Sequence, residues 1–171
     1  EKLSHLAPLH NPANILGIRM THEMLPTIPS VAVFDTSFHS TIPPRASTYP
    51  LPKSYREDLE IRRYGFHGTS VKYVVQKASH MMRKMQNCER EHWNIIVAHL
   101  GNGASVTAVH EGKSVDTTMG FTPLEGVMMG TRSGSIDPAI VSYVCRRNGV
   151  TAEEVTRTLN QLSGLKGVSD G

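Results

Sequence analysis

Arg132 stands between Gly130-Thr131 and Ser133-Gly134, inside a block at 99–138 that is rich in glycine and small hydroxyl residues and poor in bulky apolar ones. Backbone that must approach a ligand closely needs glycine, and an anionic ligand needs donors such as Asn, Thr, Arg and free N–H groups. A guanidinium is permanently charged, and its planar fork of donors suits phosphoryl oxygens. The block therefore reads as a phosphate site made of loops on an α/β scaffold. The plainer reading of Arg132 is a surface arginine in a flexible loop.

Two familiar phosphate templates fail. Gly112-Lys113-Ser114 could end a P-loop, but Thr107 stands where that motif opens with glycine. Gly101-Asn102-Gly103 could open a dinucleotide fingerprint, but Val106 replaces its third glycine. A different frame accommodates the glycines. Residues 94–100, NIIVAHL, form an apolar run of strand length, the GNG turn follows, and 104–110, ASVTAVH, makes a second strand. A turn at Glu111-Gly112 leads into KSVDTT as a third. The first turn of such a meander can offer N–H groups to phosphate oxygens, although a plain Asn-Gly hairpin would look the same.

The elements around it must supply the remaining chemistry. Residues 31–36, VAVFDT, read as a short buried strand ending at Asp35, where ligand-bearing loops begin in open α/β sheets. Asp35 could equally cap the turn that Thr36 and Ser37 continue. His67 precedes a predicted helix whose apolar residues Val71, Val74, Val75, Ala78, Met82 and Met85 recur at helical spacing, the methionines as core filler. A histidine there is either a ligand donor or a cap. A helix is predicted to start at Asn11-Pro12, and residues 41–52, with four prolines, read as an irregular loop. Asp137-Pro138 opens a helix that stops near Asn148-Gly149, and Thr151 with Glu154 forms a capping box for another, closed by Gly164.

Five separated segments carry a resemblance. LAPLHNPAN (6–14), VAVFDTSFHSTIP (31–43), RRYGFHGTS (62–70), AHLGNGAS (98–105) and DTTMGFTPLEGVMMGTRSGSIDP (116–138) closely resemble the acetate kinase (acetokinase) family in order and spacing, and SGLKGVS (163–169) continues the match. Propionate and butyrate kinases share this scaffold. The resemblance implies an α/β fold of the sugar kinase, Hsp70 and actin (RNase H-like) type with two domains, of which this chain is the central portion. Residues 1–37 would finish the N-terminal domain, and 38–171 would begin the C-terminal, nucleotide-binding domain.

The same resemblance implies transfer of the ATP γ-phosphoryl group to acetate, giving acetyl phosphate and ADP reversibly with Mg²⁺. Asp35, His67 and Arg132 take the catalytic places. His99, Leu100, Gly101, Asn102 and Gly103 form the ATP phosphate-binding turn, with Leu100 contributing backbone only. His10 matches a histidine near the acetate site. Asp116 and Glu125 read as structural, and no residue of the chain is assigned as a metal ligand. The full-length protein would be a cytoplasmic homodimer, and these 171 residues alone would have little or no activity. The alternatives are a non-catalytic, truncated nucleotide-phosphate binding module, a structural remnant without a ligand, or a propionate or butyrate kinase.

Composition agrees with a folded enzyme. A hydrophobic fraction of 39% and a charged fraction of 19% are those of a globular chain rather than a disordered one. The net charge of +3 is modest, and the Arg83, Lys84 and Arg90 group reads as a solvated helix face, so no nucleic-acid partner is expected. No apolar run is long enough for a membrane span, and no signal peptide opens the chain. Cys88 and Cys145 lack metal spacing and read as reduced thiols.

Overall fold

A computed structural model describes residues 11–86 and 93–169. His10, Cys88 and Arg90 lie outside the described residues. The chain divides into two compact units, Glu1–Phe34 and Asp35–Gly171.

In the first unit, α1 (Asn11–Met24) starts where Pro12 presets the backbone of a first helical turn. It buries none of its residues within the chain. The strand expected at 31–36 does not form. Residues 31–34 are irregular, with Val31 85% and Val33 73% exposed. A strand exists only through a neighbour that takes up its N–H and C=O groups, and no described strand pairs with this run.

The second unit is built on the expected meander of β1 (Ile95–Leu100), β2 (Ala104–His110) and β3 (Lys113–Thr117), antiparallel in that order. Glu111 and Gly112 both have positive φ, 47° and 77°, the twist that a two-residue hairpin favours. Alternation along β2 turns Ser105, Thr107 and Val109 to one buried face. On that face Val97 and Val109 pack with Val71 and Val75 of α4 (Gly68–Gln86), joined by Phe38 and Ile95. Thr107 and Thr117, paired across β2 and β3, share a buried hydroxyl–hydroxyl bond of 2.8 Å.

The stripe of α4 that meets the sheet is narrower than its apolar positions suggest. Val71, Val75 and Ser79 are buried, whereas Val74 and Met81 are exposed and Met85 is 81% exposed. Met85 is therefore not core filler here, and Met82 is only half-buried. Val74 and Met81 fall to one side of the stripe, and Met85 comes after its last half-buried residue, Met82.

The proline-rich segment is more regular than its composition predicts. A 3-10 turn at Ser37–Thr41 is followed by α2 (Pro44–Ser47) and α3 (Lys53–Asp58). Pro44 and Lys53 each follow a proline in extended conformation, Pro43 with ψ 157° and Pro52 with ψ 146°, so prolines start these helices rather than interrupt them. Arg63 then ties the segment to the sheet. Its guanidinium donates to the carbonyls of Ala46, Thr117, Thr118 and Met119 and pairs with Glu125 at 2.8 Å. Tyr49 donates its hydroxyl to the other oxygen of Glu125. Glu125 is thus structural, as expected, and the Asp116 carboxylate accepts from the adjacent Thr117 N–H at 2.8 Å.

Three helices follow. α5 (Ala139–Asn148) begins one residue later than expected, with Asp137 Oδ1 accepting from Ala139 N–H at 2.9 Å, and ends on Gly149 at φ 67°. α6 (Ala152–Gln161) has the expected capping box of Thr151 and Glu154. It stops at Leu162 rather than at Gly164, which instead opens α7 (Gly164–Val168). Cys145 is a free, half-buried thiol.

Candidate active site

The site forms at the end of the meander where β1 turns into β2. Register sets His99 opposite Ser105 and Leu100 opposite Ala104. The 101–103 turn closes the hairpin, with Gly101 N–H donating to Gly103 C=O at 3.0 Å. Leu100 is exposed, and the Asn102 side chain lies against Gly130, where a methyl would come within 2.7 Å of its Oδ1.

His67 reaches this turn from the loop before α4, and Asp35 holds that loop in place. The His67 N–H donates to Asp35 Oδ2 at 2.7 Å, and the Gly68 N–H donates to the Asp35 carbonyl at 2.8 Å. A side chain at residue 68 would collide with that carbonyl, so only glycine allows the approach. His67 itself has φ 60°, a left-handed conformation that is costly for a residue of its size and is held here by the bonds to Asp35.

The imidazoles of His67 and His99 stack, and a serine hydroxyl meets the Nδ1 of each: Ser105 for His67 and Ser70 for His99, both at 2.9 Å. Arg132 also borders the turn, its Nη1 donating to the Pro123 carbonyl at 2.9 Å. The turn is the common neighbour. A methyl on Gly103 would lie 3.3 Å from Arg132 Nη1 and 3.4 Å from His67 Nε2, and one on Gly101 would lie 3.7 Å from His99 Nε2.

Burial pulls the His67 pKa below its ordinary 6.5, and neighbouring His99 and, more weakly, Arg132 and His39 push the same way against the opposing pull of Asp35. The ring is thus held neutral beside a permanent cation. Neutral imidazole nitrogens and a guanidinium around a glycine turn can hold an anion by hydrogen bonds and by charge.

Arg132 does not sit in a loose surface loop. The loop is tied down by the end of α6 and the start of α7. Ser133 N–H donates to Leu159 C=O, Ser163 N–H to Thr131 C=O, Leu165 N–H to Met129 C=O and Lys166 N–H to Gly130 C=O, all within 3.0 Å. Gly164, at φ 65°, lies so close to the carbonyls of Met129 and Arg132 that a side chain there would strike both. Its role in seating Arg132 is absent from the sequence reading, as are the serines. The hairpin register alone could have set Ser105 beside His99, but nothing local joins Ser70 to His99.

Asp35, His67, His99, Gly101, Asn102, Gly103 and Arg132 therefore come together, and Leu100 joins them through its backbone. His10 lies outside the described residues. Among the described residues no three His, Cys, Asp or Glu side chains converge as a metal site would require. An open recess of about 380 Å³ lies elsewhere, lined by Ile96, Val106 and Ala108 among others, and does not include the donor cluster.

The fold is the α/β fold of the sugar kinase, Hsp70 and actin-like (RNase H-like) class. The chain matches the family model described as the acetokinase family over residues 1–171 and belongs to that family. It is 56% identical over 169 residues to the acetate kinases of Bacillus velezensis and Bacillus subtilis, covering 99% of this chain and 42% of each relative. Its structure is similar to that of a propionate kinase from Francisella tularensis, with a TM-score of 0.88, 50% identity and coverage of 98% of this chain and 42% of that one. For Porphyromonas gingivalis acetate kinase the TM-score is 0.86 and the identity 42%, over 99% of this chain and 41% of that one. The chain spans about two fifths of the length of the relatives it matches. Among the described residues no helix is long and apolar enough to cross a membrane.

Proposed function

We propose that the chain carries the phosphoryl-holding part of an acyl kinase that transfers the ATP γ-phosphoryl group to acetate, giving acetyl phosphate and ADP reversibly. The observation that carries this reading is the meeting of His67, His99 and Arg132 at the 101–103 turn. A carboxylate oxygen attacks the γ-phosphorus while the bond to the β–γ bridging oxygen breaks, and ADP leaves with the electron pair. The acceptor is already an anion, so no strong base is needed. The cost lies in bringing two anions together, which a guanidinium and imidazole donors offset.

In this scheme Arg132 holds the phosphoryl group in transit and His67 donates to one of its oxygens. The turn, with His99 and Asn102, cradles the nucleotide phosphates. Asp35 fixes the loop that bears His67 and would orient the acyl acceptor or the metal-bound phosphate. Mg²⁺ would shield phosphate charge, and no step here is assigned to it. We place residues 1–37 at the end of the N-terminal domain and 38–171 in the nucleotide-binding domain of a cytoplasmic homodimer. Similarity to a propionate kinase keeps propionate as the alternative acceptor.

The test is trapping of acyl phosphate as hydroxamate by the full-length protein with ATP and acetate or propionate. Acetyl phosphate formation lost in Arg132→Ala supports the proposal. ATP binding without turnover favours the non-catalytic binding module instead, and preferential use of propionate moves the acceptor.

A further inference from the structure

Among the described residues three imidazoles are met at Nδ1 by a serine hydroxyl at 2.9 Å: His39 by Ser114, His67 by Ser105 and His99 by Ser70. The first pair fixes the direction of its own hydrogen bond. His39 Nε2 lies 2.8 Å from the Phe66 carbonyl, which can only accept, so Nε2 carries the proton. Neutral His39 then has a bare Nδ1, and Ser114 must donate to it. Both residues are buried, and burial keeps His39 neutral by lowering its pKa.

The same reasoning extends to the site. Ser105 is fully buried, and its hydroxyl hydrogen needs an acceptor. Among the described residues its hydrogen-bonding partner is His67 Nδ1, and that of Ser70 is His99 Nδ1. If Nδ1 of His67 carried the proton, the fully buried Ser105 would accept it and be left with a hydroxyl hydrogen that none of its described neighbours takes, and the half-buried Ser70 stands in the same geometry to His99.

We propose that Ser105 and Ser70 are positioning residues that donate to Nδ1 and hold His67 and His99 as neutral Nε2–H tautomers. Both Nε2 atoms are the ones that border the 101–103 turn. The serines thus turn two ambivalent rings into two hydrogen-bond donors directed at the place where a phosphoryl oxygen would lie. His39 has the same arrangement with its donor spent on a carbonyl; His67 and His99 keep theirs for the ligand. That last step rests on the proposed function, whereas the tautomers rest on the geometry alone.

The experiment is two-bond ¹⁵N–¹H correlation spectroscopy of the full-length protein labelled at histidine nitrogens, near neutral pH. Expected for His67 and His99 are an unprotonated Nδ1 and a protonated Nε2, the pattern of His39. A donor bond to the neutral ring lowers its pKa, so its removal raises it. Ser105→Ala should therefore move the His67 titration upward and mix its tautomers, and Ser70→Ala should mix the tautomers of His99. The other groups facing His67 (His99, Asp35, Arg132 and His39) are unchanged by the first variant. Ser105→Ala should lower kcat about tenfold with little change in the KM for ATP, whereas Ser70→Ala, acting through His99 at the nucleotide phosphates, should raise the KM for ATP about tenfold.

Protonated Nδ1 atoms in the wild-type spectrum overturn the proposal, and so do Ser→Ala spectra identical to wild type. Should Ser105→Ala fail to fold, the wild-type spectrum and the half-buried Ser70 still decide it. Correct tautomers in a protein without kinase activity would uphold the assignment and refute the functional reading.

Discussion

The rings of His67 and His99 lie face to face, centroids 3.9 Å apart and planes within 18° of parallel. They come from separate elements, His67 from a loop bonded to Asp35 and His99 from the penultimate residue of β1. Stacked imidazoles this close resist double protonation, and the depressed pKa of His67 expresses that resistance together with burial.

Acid should therefore loosen the fold in a defined window. His39 and His67 both have folded pKa values below the ordinary 6.5, His39 chiefly through burial and His67 through burial and then His99. Stability from such groups is fully present above 6.5 and is lost as pH falls through the folded values, where the unfolded chain takes up protons first. Urea midpoints of the full-length protein from pH 8 to pH 5 should fall below pH 6.5. In His39→Gln, whose amide can still donate to Phe66, the decline should be shallower. A midpoint independent of pH in both proteins would contradict this.

At the alkaline end Tyr49 is the sensitive group. Burial, and then its bond to Glu125, push its pKa from 10 up to about 12. Stability from this tyrosine is intact below pH 10 and declines as pH rises from 10 through 12, because the unfolded chain ionises first. Thermal melts of Tyr49→Phe should lack that part of the alkaline decline.

Arg63 is the strongest structural test. It bridges the 46–49 segment, the end of β3 and Glu125, with side chains only 18% and 32% exposed in the ion pair. Arg63→Ala leaves several carbonyls and a partly buried carboxylate without their donor and should cost about 3 kcal/mol by chemical denaturation. Arg63→Lys should recover little, since a point charge cannot satisfy a fork of acceptors. A loss under 1 kcal/mol in Arg63→Ala, on the order of one exposed ion pair, would show that the hub is dispensable.

What was legible along the chain is what local physics decides. The Asn-Gly and Glu-Gly turns, the β-branched runs between them and the Thr151–Glu154 box each express a preference within a few residues. The failures share a different cause. VAVFDT has the composition of a buried strand, but a strand is made by its neighbour, and no described strand pairs with it. Ser70 and Ser105 meet histidines 29 and 38 residues away, contacts with no local signature. Gly164 looks like a helix stop because the carbonyls it must clear, at Met129 and Arg132, are distant in sequence.

Arg132 and Gly103 make a paired test of the site. Arg132→Ala should lower kcat about a thousandfold, and Arg132→Lys should remain severely impaired, because loss of a preorganised donor at developing charge is costly. Gly103→Ala inserts a methyl 3.3 Å from Arg132 Nη1 and 3.4 Å from His67 Nε2, into the space a phosphoryl oxygen would use. It should raise the KM for ATP and lower kcat while leaving the melting temperature nearly unchanged. Wild-type kinetics in Gly103→Ala would mean that the phosphoryl group lies elsewhere.

The 171-residue polypeptide alone should behave poorly, for a reason visible in the sheet. β1 and β3 are both edges of a three-stranded sheet, and Ile96 and Leu100 on β1 are 75% and 76% exposed. Unpaired edges flanked by exposed apolar side chains recruit other chains. The isolated polypeptide should sediment as aggregates, show no sharp cooperative melt and form no acyl phosphate. Exposed Ile96 points to the cause, so Ile96→Lys should improve its solubility without restoring catalysis. A monomeric wild-type polypeptide with a sharp melt would show instead that the meander and α4 suffice as a folding unit, and hydroxamate formed by it, abolished in Arg132→Ala, would show that the donor cluster suffices for transfer.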